Sequence, residues 1–446
     1  MLIKSFYKLE RAQQSMRMFK LLTFAMTFTL ALPISLISPL HSNALEIPTT
    51  FQIIGAGYGH GVGMSQMGAR SKALAGENAT SILNYYYKDV LMETVDDSKI
   101  LRINIGHQLT SARMLTRTQG ATLQIFSGDI RDAQGVQPLA TIPAMSSLNF
   151  SILGSTVIPS ITTGKSVSSI PGNRIFTVRW SGTRYLAGAD GVLTLSHANR
   201  KSNYRYGQVQ IRAVKAGSLG FRLAITNSVR LADEYLWGVS EMPSFWPIAA
   251  LEAQAIASRT YALSKAGVIR TACDCDLYGE ITDQKFLGYA KEIEKKWGVF
   301  WKAAVTNTAG LVLTQSGLPI TAWFGSSSGG ITETALNAWG SERAFTHSVE
   351  DLASLDPTLN PNFYKWERTI SQSITAAAFL LPDVVNLEVL SRNPSGTVGM
   401  IRATASSGKQ VSIRGETFRS RAKIPSAYFN LVGVQNAVEP APSPNS

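Results

Sequence analysis

The sequence contains few of the residue types and patterns that most often mark a reactive site. Its 446 residues include only two cysteines, Cys273 and Cys275, and five histidines. The zinc pattern H-E-x-x-H, the Walker phosphate loop and the EF-hand calcium loop are absent. Basic residues are scattered, and no dense basic run is interleaved with aromatic residues, so we expect no nucleic-acid partner. We find no tandem repeat.

Charged residues are also scarce, at 16% of the chain, whereas 45% of the residues are hydrophobic. This balance excludes extensive disorder except at the ends and predicts a globular protein with a large core. The length predicts either one large composite domain or two to three smaller ones.

Residues 1–44 have the features of an export signal. Basic residues precede an uncharged stretch over 21–40, and the small residues at 42–44 follow as a cleavage site, so the mature chain would begin near Leu45. An uncleaved anchor is the alternative, because about twenty apolar residues can span a bilayer. We expect membrane contact only in that case, and a secreted or cell-wall location either way.

Removal of the signal takes away five basic residues and one acidic residue, so the formal net charge of +12 falls by four. The remaining chain is still basic. A basic exported protein suits an anionic cell-wall polymer or a membrane surface better than nucleic acid.

After the signal, composition divides the chain into four segments. A glycine-rich segment with a short helix occupies 45–95, and short alternating runs predict a β-rich region over 96–228. Mixed strands and helices over 229–437 predict a catalytic core, followed by a disordered tail at 438–446. The predicted fold class is α+β, with the β-rich region inserted between the glycine-rich segment and the core.

Local patterns predict several elements. Asn78 or Thr80 caps a short helix, and Pro247 occupies the first position of a longer one. One stripe of small and apolar residues predicts the packed face of the longer helix, and it consists of Leu251, Ala255, Ser258 and Ala262. Residues 290–308 are helix-like, and two apolar runs around residues 315–317 predict a hairpin.

The stretch GAGYGHGVGMSQMG at 55–68 has glycines in strict alternation at 55, 57, 59, 61 and 63. No strand-to-helix unit with an acidic partner follows it, so it is a weak candidate for a dinucleotide or phosphate site. A flexible linker is the plain alternative.

The stretch GSSSG at 325–329 formally matches the serine-hydrolase elbow, with Ser327 at its centre. The match is weak because only His347 follows, and it follows closely. A serine-glycine turn is the favoured interpretation.

Glu241 is the acidic residue that stands out, in GVSEMPSFWP between a predicted strand and a helix. Its aromatic neighbours predict partial burial, which raises the pKa of a carboxyl group and suits it to act as a general acid. The alternative is an exposed loop glutamate, which the dipole of the following helix would keep ionised.

Five stretches together resemble the stage II sporulation protein D and amidase-enhancer (SpoIID/LytB-like) family. The resemblance covers most of 51–95 and 225–435, and only loosely 96–228. In the sporulation-type order the GHGxGMSQ segment comes near the C-terminus, so this chain resembles a circular permutation of that order. The five stretches are EYLWGVSEMPSFWPIAALEAQAIASRTYAL, the Asp283-Gln284 pair in CDCDLYGEITDQKFLGY, AVTNTAGLVLTQSGLPITAWFGSSSGG, WGSERAF, and GYGHGVGMSQMGARSKALAGENATSILNYYY.

The resemblance implies a lytic transglycosylase that acts on peptidoglycan glycan strands lacking stem peptides, with Glu241 as the catalytic residue. Glu241 would protonate the glycosidic oxygen between N-acetylmuramic acid and N-acetylglucosamine. As the carboxylate it would then take the proton of the muramic C6 hydroxyl, closing a 1,6-anhydro ring.

Two alternatives remain at this point. A hydrolytic muramidase needs a second carboxylate, for which the candidates are Asp233, Glu234, Asp276 and Asp283. A non-catalytic modifier, or enhancer, of a cell-wall amidase would bind glycan or the amidase without cutting.

Eight further residues are predicted to bind substrate, and each also has a structural interpretation. For those on the helix after Glu241 the alternative is that they satisfy buried groups, and for the serine stretch it is a plain turn. For His60 the alternatives are a cap of its own loop and a role in orienting Glu241. The predicted substrate-binding residues are His60, Gln66, Gln254, Arg259, Tyr261, Ser326, Ser327 and Ser328.

Cys273 and Cys275 lie two residues apart, where extended backbone would hold their side chains parallel and about 6.6 Å apart. A disulfide therefore requires a sharp bend. No cofactor is required by the predicted mechanism. Zinc is a candidate at this pair, with Asp274, Asp276 or a histidine completing the site, because some relatives are associated with zinc near this loop; buried thiols or a redox pair are the alternatives.

Overall fold

The computed structural model describes residues 46–133, 135–198 and 200–433. The predicted export signal and the tail at 438–446 therefore lie outside the described residues. Within the described ranges, no helix is long and apolar enough to cross a membrane. Helices and strands occur together along the chain, which confirms the predicted α+β class.

The glycine-rich segment contains short strands and two helices. Asn78 accepts a hydrogen bond from the Ser81 N–H at 2.9 Å and caps the second helix, as predicted, because its carboxamide replaces a missing helical partner. The elements are β1 (Thr50–Gly55), β2 (Met64–Ser65), α1 (Gln66–Leu74), α2 (Ala79–Tyr86) and β3 (Leu91–Thr94).

The predicted β-rich region consists of strands arranged in two sheets, whose buried faces share one apolar core. The strands are β4 (Ile100–Leu109), β5 (Ser111–Thr116), β6 (Thr122–Ser127), β7 (Ala140–Pro143), β8 (Ser147–Leu153), β9 (Thr156–Thr163), β10 (Ser166–Ser169), β11 (Ile175–Trp180), β12 (Leu193–His197), β13 (Arg200–Tyr204), β14 (Gln208–Lys215) and β15 (Phe221–Arg230).

The following segment carries the long helix and the predicted hairpin. Ser316 and Gly317 both have positive φ (53° and 72°), as a two-residue hairpin turn requires, so the hairpin is confirmed. The elements are α3 (Ile248–Lys265), β16 (Leu277–Tyr278), α4 (Tyr289–Glu292), α5 (Gly298–Asn307), β17 (Leu311–Gln315), β18 (Leu318–Pro319), β19 (Phe324–Gly325) and α6 (Ala335–Trp339).

The last described segment forms a smaller α/β layer with its own apolar cluster, to which β1 also contributes. Its elements are β20 (Trp366–Ser371), α7 (Gln372–Phe379), β21 (Asn386–Arg392), β22 (Val398–Thr404), β23 (Gln410–Arg414), α8 (Gly415–Ala422) and β24 (Phe429–Leu431).

Pairing between distant strands joins these segments. The sheet orders are β20-β1-β24, β10-β9-β8-β5-β12-β13, β16-β4-β15-β14-β11-β6-β7, β18-β17-β3, β19-β2 and β21-β22-β23. The β-rich region is thus continuous with the predicted core, because β16 pairs with β4 in the largest sheet.

Three boundaries differ from the sequence prediction. The division at 228/229 falls inside β15, which runs to Arg230 and continues into a π-helical turn at Leu231–Tyr235. Pro247 precedes α3 as its N-cap instead of occupying the first helical position. The helix-like stretch 290–308 is split into α4 and α5, because the chain turns at residues 293–297.

Candidate functional site

Glu241 lies in the loop between the Leu236–Gly238 turn and α3, and its side chain is partly buried. Its Oε1 accepts the Lys285 backbone N–H at 2.5 Å. Two further contacts hold the facing segments together: the Ser240 N–H donates to the Lys285 carbonyl at 2.7 Å, and Val239 pairs with Phe286. The carboxyl group is therefore held in one place by backbone contacts from a distant segment.

Burial raises the pKa of Glu241 to about 7 because desolvation disfavours the carboxylate. The Lys285 N–H and the positive charges of Lys285 and Lys291 lower this pKa in part. At neutral pH the group can both hold and release a proton, which is the property a general acid and base requires.

Side-chain contacts fix the segment that faces Glu241. The Asp283 carboxylate accepts the Tyr261 hydroxyl at 2.8 Å, the Tyr278 N–H at 2.8 Å and two Arg270 N–H groups at 2.6 and 2.9 Å. The neighbouring Gln284 is buried and accepts the Tyr235 hydroxyl at 2.8 Å. The Asp283-Gln284 pair therefore positions the Lys285 N–H that contacts Glu241.

Tyr261 is the predicted substrate residue that the structure connects to this arrangement, through Asp283. Gln66 and Gln254 lie elsewhere, at the packed contact between α1 and α3. There the Gln66 amide donates to Gln254 at 3.1 Å, and the Gln254 amide donates to Ser258 at 3.0 Å. Both glutamines are buried and connect the two helices in this structure, and their role in substrate binding stays a prediction.

Arg259 is fully buried and makes a salt bridge to Asp97 at 2.8 Å. Its remaining N–H groups donate to Thr308 and to the carbonyls of Val305 and Leu311. Because these partners surround the guanidinium, Arg259 satisfies buried groups, which is the structural interpretation left open by the sequence.

His60 caps its own loop, since its Nδ1 accepts the Val62 N–H at 3.0 Å. The ring packs edge-on against Trp339 at 5.1 Å between centroids. Burial, and secondarily the charge of Arg419, lower the pKa of His60 to about 4, so the ring is neutral at physiological pH. Among the described residues, His60 and Glu241 share no hydrogen bond or ring contact.

The three serines lie on a strip that runs beside the glycine-rich segment. Ser327 pairs with Tyr58 through backbone hydrogen bonds, and the Ser326 carbonyl accepts the Met67 N–H at 3.1 Å. The Ser328 hydroxyl donates to the buried Asp351 at 2.7 Å. The Ser327 hydroxyl is buried and, within the described part of the chain, has no hydrogen-bond partner, so no base is present beside it.

The alternating glycines allow close approach of two backbones. Gly57 and Gly63 have φ of +82° and +77°, and a Cβ atom would lie 2.3 Å from the Ser328 carbonyl oxygen or 2.0 Å from the Trp323 carbonyl oxygen, respectively. Only glycine fits both the conformation and the space. These two glycines therefore approach the protein's own backbone.

The structure joins Cys273 and Cys275 in a disulfide. Asp274 between them has φ of 54°, which supplies the sharp bend that the spacing demands. Disulfide sulfur is not the thiolate donor that zinc binds, and among the described residues no group of three or more His, Cys, Asp or Glu residues could hold a metal. The Asp274 carboxylate instead pairs with Arg102 and Arg212. A zinc site here remains a prediction for the reduced form.

A cavity of about 410 Å³ opens on the β10-to-β13 sheet, and its lining includes Arg113, Asn149 and His197. Glu241 is not among its lining residues. Glu241 and its backbone contacts therefore lie outside this cavity.

Some residues of the site were missed by sequence reasoning. Lys285 follows the quoted Asp283-Gln284 pair, but its contribution is a backbone N–H, which residue type does not reveal. Arg270 belongs to no recognisable pattern and Lys291 only to a helix-like stretch, so their contacts alone show their importance.

Comparison with known proteins locates the site within one domain. Residues 222–315 match the family model described as SpoIID, Stage II sporulation protein. The chain contains a SpoIID domain. This domain includes Glu241, Tyr261 and Asp283, which confirms the family resemblance over these residues.

Three curated relatives share sequence with this chain. An amidase enhancer of Bacillus subtilis (strain 168) is 33% identical over 133 residues, 30% of this chain and 16% of that protein. Stage II sporulation protein D of the same strain is 32% identical over 204 residues, 42% of this chain and 55% of that protein. Stage II sporulation protein D of Bacillus amyloliquefaciens is 28% identical over 218 residues, which are 44% of this chain and 59% of that protein. The chain thus spans less than two thirds of the length of each of these relatives.

The glycine-rich segment and the serine stretch lie outside 222–315 but pack around the SpoIID domain. Helices α1 and α2 pack on α3, and β1 lies between β20 and β24. The Gly59 N–H donates to the Pro425 carbonyl at 2.9 Å. The segment is therefore adjacent in space to the chain end that precedes it in the sporulation-type order, although it is remote in sequence.

Proposed function

We propose that this protein is an exported peptidoglycan lytic transglycosylase that cleaves glycan strands, preferably those lacking stem peptides, with Glu241 as both acid and base. The observation that carries the proposal is the partly buried Glu241, with its pKa raised to about 7 and its Oε1 held by the Lys285 N–H. The resemblance to the SpoIID family supplies the substrate class.

In the first step, protonated Glu241 transfers its proton to the glycosidic oxygen, and the bond to the muramic C1 breaks. The carboxylate then accepts the proton of the muramic C6 hydroxyl as that oxygen bonds to C1. The proton returns to Glu241, so one carboxyl group completes the cycle without water.

The state of the other carboxylates supports a single-carboxyl mechanism. Asp233 pairs with Arg230, and Glu234 accepts the Arg230 N–H at 2.8 Å. Asp276 accepts backbone N–H groups of residues 102 and 267, and Asp283 is held by Tyr261 and Arg270. Each candidate for the second carboxylate of a hydrolase is thus occupied by contacts within the chain.

The test is digestion of peptide-free glycan strands by the purified protein and by Glu241→Gln, with products analysed by mass spectrometry. We expect 1,6-anhydro ends from the wild type and a loss of about 10²–10⁴-fold in rate for the variant. Glu280→Gln is the matched control, because Glu280 is a half-exposed glutamate that pairs with Arg200 in the loop preceding Asp283. Reducing ends in place of anhydro ends, or full activity of Glu241→Gln, would contradict the proposal.

A non-catalytic role is the second candidate, favoured by the similarity of this chain to an amidase enhancer. In that case the protein would bind glycan or a cell-wall amidase and change amidase activity without cutting. Both the wild type and Glu241→Gln would then leave all glycans intact yet alter amidase turnover equally.

A further inference from the structure

Three aromatic side chains form a row beside the Glu241 loop, with Phe245 and Phe300 exposed and Trp297 between them half-buried. The ring centroids of Phe245 and Trp297 are 6.3 Å apart, and those of Trp297 and Phe300 are 5.8 Å apart. Phe245 is 55% exposed and Phe300 is 45% exposed. We call these three residues the aromatic platform. Exposed apolar side chains that lie next to one another, and not scattered singly, are a feature of interaction sites.

Contacts between side chains and backbone connect the platform rigidly to Glu241. The Ser244 hydroxyl donates to the Glu294 carboxylate at 2.6 Å, and the Lys291 ammonium donates to the Met242 carbonyl at 2.6 Å. These bonds join the Glu241 loop to the turn that carries Trp297. Because Phe245 follows Glu241 by four residues, their Cα atoms lie at most about 14 Å apart.

The charged groups around the platform that lack a salt bridge among the described residues are lysine ammonium groups. Lys285, Lys295 and Lys296 are exposed, and none of them makes a salt bridge with any residue that the structure describes. The nearby acidic side chains are occupied, since Glu292 pairs with Lys302 and Glu294 with Lys291. The Lys296 ammonium lies 4.7 Å from the centroid of the Trp297 ring. A ligand on the platform therefore contacts aromatic rings and, next to them, the Lys296 ammonium, which has no salt-bridge partner among the described residues.

We infer that the aromatic platform is a sugar-binding subsite and that Lys296 selects glycan without stem peptides; this inference rests on the proposed function. The apolar C–H face of a pyranose ring packs on aromatic faces. The lactyl group of N-acetylmuramic acid carries a free carboxylate only when no peptide is attached, because the peptide is joined there through an amide. Lys296 attracts that carboxylate and gains nothing from the amide.

The test measures co-sedimentation with insoluble glycan, in the Glu241→Gln background so that cleavage does not remove the ligand. Phe245→Ala and Trp297→Ala should each weaken binding to peptide-free glycan about three- to tenfold. Lys296→Gln should weaken that binding and leave binding to peptide-bearing glycan unchanged. Leu153→Ala, an apolar residue with 74% exposure on the β-rich region, is the control and should bind normally.

The subsite would be overturned if Phe245→Ala and Trp297→Ala both bound peptide-free glycan as well as the unsubstituted protein does, with circular dichroism showing that both are folded. This holds even if the two variants changed the activity of a cell-wall amidase. Equal losses on both glycans for Lys296→Gln would overturn the selectivity. Neither result affects the proposed function, which depends on cleavage by wild-type protein and its loss in Glu241→Gln.

Discussion

At the scale of single residues, Glu241 combines two properties that oppose each other. Its backbone contact with Lys285 favours the carboxylate, whereas its partial burial favours the neutral acid, and burial is the larger effect. The balance leaves the pKa near neutrality, where a single group can act in both proton transfers.

We therefore predict that cleavage of peptide-free glycan depends on a protonated group with pKa about 7. The value of kcat/KM should fall about tenfold per pH unit above this pKa, because the first step needs the acid form. The measurement is a pH–rate profile between pH 5 and about 9 at constant ionic strength. A profile that rises over this range would show that the group acts first as a base.

The same pKa predicts a dependence of stability on pH. The unfolded glutamate ionises near its ordinary value of 4.5, whereas the folded one retains its proton up to about 7. Ionisation therefore penalises the folded state progressively from pH 4.5 upward, and the penalty is complete above pH 7.

Glu241→Gln removes this penalty and keeps the Oε1 acceptor for Lys285. Allowing for residual solvent contact, we expect the variant to be more stable by about 1–3 kcal/mol at pH 8 and equally stable near pH 4. Urea unfolding at the two pH values measures this. Glu280→Gln should show no such difference, and a gain for Glu241→Gln that is independent of pH would contradict the prediction.

At the scale of elements, α3 serves as the support of the site. Its predicted stripe of small and apolar residues is buried. Two of its polar residues contact neighbouring elements, and a third contacts the segment that faces Glu241. Tyr261 contacts Asp283, whereas Gln254 and Arg259 contact α1 and the segment before β4. Residue spacing along the helix predicted its core face but not which polar side chains were accessible.

Arg259→Ala should therefore lower the free energy of unfolding by about 3–5 kcal/mol, because it leaves Asp97 as an unpaired buried charge. Arg259→Lys should recover only part of this, since an ammonium cannot replace the guanidinium contacts. Urea unfolding measures both effects. Normal stability combined with weakened glycan binding would instead favour the substrate-binding role predicted from sequence.

At the scale of the whole molecule, the order of segments along the chain differs from their order in space. Strand β1 is the centre of the β20-β1-β24 sheet, and the Val432 N–H donates to the Gln52 carbonyl at 3.0 Å. The two ends of the described chain therefore lie side by side, as a permuted relative of the sporulation-type order requires.

This arrangement predicts that a permuted protein folds. In it, the chain begins at Val90, and residues 46–89 follow residue 433 through a short glycine-serine linker, so that all native contacts of β1, α1 and α2 remain available. We expect cooperative thermal unfolding and the same dependence of glycan cleavage on Glu241.

Deletion of residues 46–89 is the comparison, and it should abolish cooperative unfolding, because it removes a central strand and uncovers α3. A permuted protein that behaves like the deletion would show that the native order of segments is itself needed.

The sequence by itself determined the elements and the family. Capping residues, hairpin turn residues and apolar spacing are local properties, so the Asn78 cap, the hairpin at 316–317 and the core face of α3 follow from short stretches. The GVSEMPSFWP stretch likewise made Glu241 the candidate site residue. Only the tertiary structure decided which polar groups meet. A buried amide or guanidinium stabilises the fold when a distant segment supplies its hydrogen-bond partner, as Gln66 does for Gln254 and Asp97 for Arg259. Tertiary packing brings these partners together, and the partners cannot be predicted from any single stretch of sequence.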